Sequence, residues 1–91
     1  MRTKMKAKEI MKELHWIIDH YNYDIHICEY NSGKKSDGIH CVATGSQNQL
    51  YLTKWADRQV NEILITQFDT NNYLIELVLS YEPVFTLEEL L

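Results

Sequence analysis

Glycine and proline are both scarce in this 91-residue chain. Gly33, Gly38 and Gly45 are the three glycines, and Pro83 is the one proline. So little of either excludes a flexible linker or a disordered tail. It also leaves no glycine-rich loop to cradle a nucleotide phosphate. Cysteine is limited to Cys28 and Cys41, with no Cys-x-x-Cys. That excludes a disulfide framework, and in a reducing cytosol both are expected as free thiols. No apolar run approaches the roughly 20 residues that span a bilayer. The stretch from Met1 to Glu9 is basic but lacks the apolar core of a signal peptide. There is no Asn-x-Ser/Thr sequon, so a cytoplasmic location is expected. His-Glu-x-x-His, Gly-x-Ser-x-Gly and the calcium loop are all absent.

Positive charge is missing from the last third. After Arg58 there is no Lys, Arg or His, while Glu62, Asp69, Glu76, Glu82, Glu88 and Glu89 follow. The first twelve residues have the opposite bias, with Arg2, Lys4, Lys6, Lys8 and Lys12 against Glu9 alone. The net charge of −4 is thus a basic start followed by a strongly acidic remainder. Such asymmetry bears on partners and solubility rather than on fold.

What is present is ordinary for a globular domain: 45% hydrophobic and 24% charged residues. Residues 1–91 are expected to form a single α+β domain, burying about two thirds of the unfolded surface. Ala7, Ile10, Met11, Leu14, Ile17, Ile18 and Tyr21 recur at i, i+3, i+4 spacing. This predicts a helix over 4–21, capped by Thr3 and stopped at Asn22. Trp16 stands off its apolar stripe. Three short strands are predicted next, Tyr23–Tyr30, Ile39–Thr44 and Gln49–Thr53, joined by polar turns. In the first, Ile25 and Ile27 point one way and Asp24, His26, Cys28 and Tyr30 the other. In the second, Ile39, Cys41 and Ala43 share a face. In the third, Leu50 and Leu52 face the core and Tyr51 faces away. The expected fold is therefore an N-terminal helix packed on an antiparallel sheet of three or more strands.

Residues 54–68 read two ways. Ala56, Val60, Ile63, Leu64 and Phe68 line one helical face, and Arg58 stands four residues before Glu62. The competing picture is a hairpin of 60–68 against 73–81, turning at Asp69–Asn72, supported by the β-branched run at Ile63–Thr66. The longer periodic run favours the helix, with Ile63 and Leu64 buried. Thr86 to Glu89 form a Thr-x-x-Glu capping box that opens a last helical turn.

For chemistry, the sequence offers little. His26, Cys28, His40 and Cys41 are the one potential metal set. A register placing Cys28 opposite Cys41 brings both thiols and His26 to one face, whereas a one-residue slip substitutes His40. The spacing matches no standard zinc pattern, so no metal and no cofactor are expected. No convergent acid, base and nucleophile argue for an enzyme.

The order helix, three strands, second helix is similar to that of double-stranded-RNA-binding domains. Those have a lysine-rich start to the second helix, where this chain has Thr53-Lys54-Trp55-Ala56-Asp57. With its acidic C-terminal half, the same layout resembles small phage-encoded inhibitors such as type II-A anti-CRISPR proteins. That resemblance, of size, charge and layout, implies a protein partner whose nucleic-acid groove is occupied by carboxylates. The expectation is a non-enzymatic, acidic protein-binding module. Glu62, Asp69 and Glu76 are its candidate charged contacts, and Trp16 and Tyr51 its candidate aromatic anchors. The alternative is nucleic-acid binding through the basic N-terminal helix.

Overall fold

The computed structural model describes residues 5–81. Thr3 as a helix cap, Arg2 and Lys4 of the basic start, Pro83, and the acids Glu82, Glu88 and Glu89 with their helical turn lie outside the described residues. The chain forms α1 (Ala7–Glu13), α2 (His15–Ile18), β1 (Asn22–Tyr30), β2 (Ile39–Gly45), α3 (Gln47–Tyr51), β3 (Val60–Gln67) and β4 (Asn72–Leu79). The fold is α+β, with a four-stranded sheet in the order β2-β1-β4-β3. β1 pairs antiparallel with β2, and β3 with β4, but β1 and β4 run parallel at the centre. The sheet is therefore mixed, which corrects the expected antiparallel one. No helix among the described residues is long and apolar enough to cross a membrane.

The predicted N-terminal helix exists as two pieces turned at Leu14, whose backbone (φ −85°, ψ 23°) leaves the helical region. The stripe survives the turn: Ala7, Ile10, Met11, Leu14 and Ile17 are all buried. Glu9 closes the start of α1, its carboxylate accepting the Lys6 N–H at 3.0 Å. The expected stop at Asn22 coincides with the first residue of β1.

The expected strand Gln49–Thr53 is absent: Gln49–Tyr51 belong to α3, and Leu52 and Thr53 to the turn that follows it. Ser46 caps α3 by accepting the Gln49 N–H, and Gln49 reaches back to accept the Ser46 N–H at 2.9 Å. This reciprocal box satisfies two donors that a helix start otherwise leaves unpaired. Leu50 enters the core as expected, but Leu52, expected to face it, is 90% exposed.

The helix expected over 54–68 is also absent. Residues 52–58 form turns and bends, Gln59 is bridged to Lys6, and Val60–Gln67 is a strand paired with β4, in the hairpin arrangement. The helical spacing of Ala56, Val60, Ile63 and Leu64 is real, but ladder pairing with an apolar strand overrides it. Arg58 lies near Glu29 (3.7 Å), not Glu62. Ile63 and Leu64 are half-buried, on opposite faces of the sheet.

All three helices lie on one face. Their apolar residues pack with Ile25, Ile27, Val60, Ile75, Leu77 and Leu79 into one core. Each fully buried Ile or Leu contributes on the order of 1.5–3 kcal/mol.

Candidate functional site

Strand parity and register place a second set of residues on the opposite face, which no described helix covers. β2 contributes Ile39, Cys41 and Thr44, and β1 contributes Asp24, His26, Cys28 and Tyr30. Leu74, Glu76 and Val78 come from β4, and Glu62, Leu64 and Thr66 from β3. Ala43 was expected beside Cys41. A bulge displaces it: Cys28 opposes Cys41 while Ile27 opposes Ala43, so Val42 is the extra residue. Val42 and Ala43 both pack towards the core. An extra residue reverses the alternation along the rest of the strand.

This face combines an apolar centre with carboxylates. Cys28 and Val78 are buried in the sheet surface, and Leu64 and Leu74 are half-buried. Glu76 lies beside His26 on one side and Leu64 on the other. Glu62, opposite Val78, accepts a long hydrogen bond (3.4 Å) from the Tyr30 hydroxyl, which itself accepts from the Asn61 amide at 2.7 Å. None of the four strands contains a Lys or Arg. Among the described residues no ion pair involves Asp24, Glu62 or Glu76.

The five expected contact residues do not converge. Glu62 and Glu76 share the open face. Asp69 lies in the β3–β4 turn, where it accepts the Asn71 N–H and the Asn72 amide, each at 2.8 Å. Those bonds hold its carboxyl below the ordinary range, the Asn71 backbone bond foremost. Its work is to shape the turn. Trp16 is 48% exposed on α2 and meets Tyr73 edge-on, at 6.0 Å between ring centres, with Tyr21 also edge-on to Tyr73 at 5.0 Å. Tyr51 ties helices together: its hydroxyl donates to the Lys8 carbonyl (3.3 Å) and accepts from the Gln47 amide (3.0 Å). Both aromatics are on the helical side of the molecule. Leu64 and Leu74 join Asp24 on this face only through the strand order, which places β4 between β1 and β3.

The basic helix presents Lys6, Lys8 and Lys12 to solvent, yet Lys8 is paired with Asp57 at 2.7 Å. That contact raises the lysine pKa and lowers the aspartate's, through the hydrogen bond first and charge second. A concavity of about 230 Å³ lies where the parallel strands β1 and β4 end, lined by Glu29, Tyr30, Gly33, His40, Arg58 and Tyr81. The Arg58 guanidinium there donates to the Ser80 carbonyl at 3.1 Å and faces Glu29, and His40 shares a 2.6 Å hydrogen bond with Asn31. These groups are engaged with their neighbours and do not form a nucleophile–base pair.

Of the two registers considered for the His/Cys set, the one opposing Cys28 to Cys41 is found, and His40 pairs with Glu29 on the other side of the sheet. Among the described residues no three His, Cys, Asp or Glu side chains gather closely enough to hold a metal ion. The element order found, with α3 in place of a third strand and β3–β4 in place of a second helix, differs from the order behind both resemblances. No family model, curated protein or solved structure matches this chain.

Proposed function

We propose that this chain is a non-enzymatic binding protein that engages a basic protein surface through the open face of its sheet. One observation supports the reading: a β-surface that no described helix covers, whose apolar residues are interleaved with Asp24, Glu62 and Glu76, on strands that contain no Lys or Arg. Apolar side chains at the centre of such a patch give contact energy, and carboxylates around them select and steer a cationic partner. The net charge of −4 acts in the same direction at longer range. A partner that normally grips nucleic acid has the required cationic groove. An inhibitor that replaces phosphates with carboxylates, as the anti-CRISPR resemblance implies by size and charge, is one form of this function. The proposed partner face differs from the five residues expected from sequence. Glu62 and Glu76 remain, Asp24, Leu64 and Leu74 join them, and Asp69, Trp16 and Tyr51 leave.

The test is affinity capture from a nuclease-treated extract with three baits of matched thermal stability. They are the native chain, Leu64→Lys/Glu76→Lys on the open face, and Lys12→Glu on the helical face. A basic protein retained by the native and Lys12→Glu baits, and lost by the open-face double variant, is the expected result. Retention that depends on Lys12, or that disappears with nuclease, would assign the activity to the basic helix and to nucleic acid instead.

A further inference from the structure

Cys28 and Cys41 are direct cross-strand partners on β1 and β2, and both are free thiols. Opposed residues of an antiparallel pair have Cα atoms roughly 4.5–5.5 Å apart, inside the roughly 4.4–6.8 Å range that a disulfide spans. The side chains point to the same face, because directly opposed residues share one. The pair adjoins the bulge at Val42, on a strand at the edge of the sheet. An edge strand with an unpaired extra residue has the freedom to adjust its backbone to the roughly right-angled disulfide dihedral.

The two thiols differ in a way that sets an order of events. Cys41 is exposed, with its Sγ 3.4 Å from the Ala43 carbonyl. Cys28 is 2% exposed, with its Sγ 3.9 Å from the His26 carbonyl. Reaction with a dissolved oxidant therefore begins at Cys41, and Cys28 is positioned to resolve it.

We propose that Cys28 and Cys41 are a reversible thiol modification site, oxidised by hydroperoxides to an intramolecular cross-strand disulfide. The Cys41 thiolate attacks one peroxide oxygen. The O–O bond breaks, an S–O bond forms, and the other oxygen leaves as water or an alcohol after taking a proton. The Cys28 sulfur then attacks the Cys41 sulfur. Its proton goes to the departing hydroxyl, which leaves as a second molecule of water. Two thiols are oxidised by two electrons and one peroxide is reduced. A thiol reductant reverses the state by exchange. The disulfide fastens the edge strand to the sheet on the same face as Glu76 and Leu64. The site stands whether or not that face binds a partner.

Titration of the native chain with hydrogen peroxide, followed by intact mass and peptide mapping, decides the matter. The expected product is a monomer lighter by about 2 Da, with both thiols lost to alkylation, residues 28 and 41 linked in one peptide pair, and all changes reversed by dithiothreitol. Cys41→Ser, at an exposed position, should keep its remaining thiol reduced at the same peroxide dose. Cys28→Ala should stop at a Cys41 sulfenic acid that dimedone traps. The proposal is overturned if native Cys41 gains oxygen (about 16 or 32 Da) while Cys28 stays alkylatable. It is equally overturned if the product is a Cys41-linked dimer, or if both thiols survive peroxide that fully oxidises a small dithiol.

Discussion

The same substitution on opposite faces of one sheet tests whether the proposed binding face is uncovered. Leu77 on β4 faces the helices and is 0% exposed, whereas Leu64 on β3 is half-buried on the open side. Changing leucine to alanine removes about three carbon groups, worth roughly 0.8 kcal/mol each when fully buried. At Leu77 the helices above cannot follow the lost volume, so a cavity term of about 24 cal/mol per Å³ adds to this, and the total is roughly 2–5 kcal/mol. At Leu64 solvent enters the space and no closed cavity forms. About half the transfer term remains, roughly 1 kcal/mol. For a domain of this size, 1 kcal/mol moves the melting midpoint by about 4–8 °C. Urea unfolding followed by far-UV circular dichroism measures both, with unchanged slope as the sign that only stability has moved. A Leu64→Ala loss as large as that of Leu77→Ala would mean that the open face is packed under something. The binding proposal would fall with it.

Further expectations concern single contacts. Ser46→Ala removes the side-chain half of the α3 capping box and should cost about 1 kcal/mol in the same unfolding assay, with Ser46→Asp recovering most of it. Gly33 has φ +70°, and the Tyr81 ring occupies the space a Cβ would need. Gly33→Ala should therefore destabilise by more than about 1 kcal/mol, and shortening Tyr81 to alanine should relieve part of that loss. Burial first, then Cys41 on β2 and Glu76 on β4, push the Cys28 thiol from 9.0 up to about 12. The folded state then holds a proton that the unfolded state releases, so this contribution is intact below pH 9 and declines as pH rises towards 12. Native protein should accordingly lose stability across that window faster than Cys28→Ala. Asp69 has the opposite sign: its lowered pKa gives stability that is present above the ordinary value of 3.8 and lost as pH falls below it, and Asp69→Asn should flatten the acid limb of the stability profile.

Some parts of this fold were legible because local chemistry and tertiary packing agree there. The stripe from Ala7 to Ile17 and the alternation of Ile25 and Ile27 are of this kind, whereas the Asp69–Asn72 turn belonged to the hairpin picture that the helical spacing outweighed. Elsewhere the signals compete. Gln49–Thr53 has strand-like residues, but Ser46-Gln47-Asn48-Gln49 is a capping box, and the hydrogen bonds it makes at the helix start decide the outcome. Val60 to Phe68 satisfies a helical spacing, and only the presence of β4 as a ladder partner turns it into a strand. The bulge at Val42 leaves no mark in the residue types around it, so strict alternation puts Ala43 on the wrong face. Of the candidate site, the lack of cations beyond Arg58 was visible in the sequence. Which acids share a surface was not, since that depends on β4 lying between β1 and β3.

The parallel pairing at the centre of the sheet has a kinetic consequence. Asn22 opposes Asn72, so the innermost ladder joins strands from opposite ends of the described chain. The outer pairs are cheaper to form: β3 and β4 meet across a tight turn, and β1 and β2 across a short connection. Each outer pair leaves one flank of its central strand unpaired until the two pairs dock. High sequence separation in the most buried contacts slows folding, because the closure entropy is spent before the core repays it. On an emerging chain, β1 waits with an exposed row of amide and carbonyl groups until β4 has been made. Peptides that match β4 should capture this intermediate, and refolding in their presence should stall with β1 flanked by β2 and the peptide rather than reach the native four-stranded sheet.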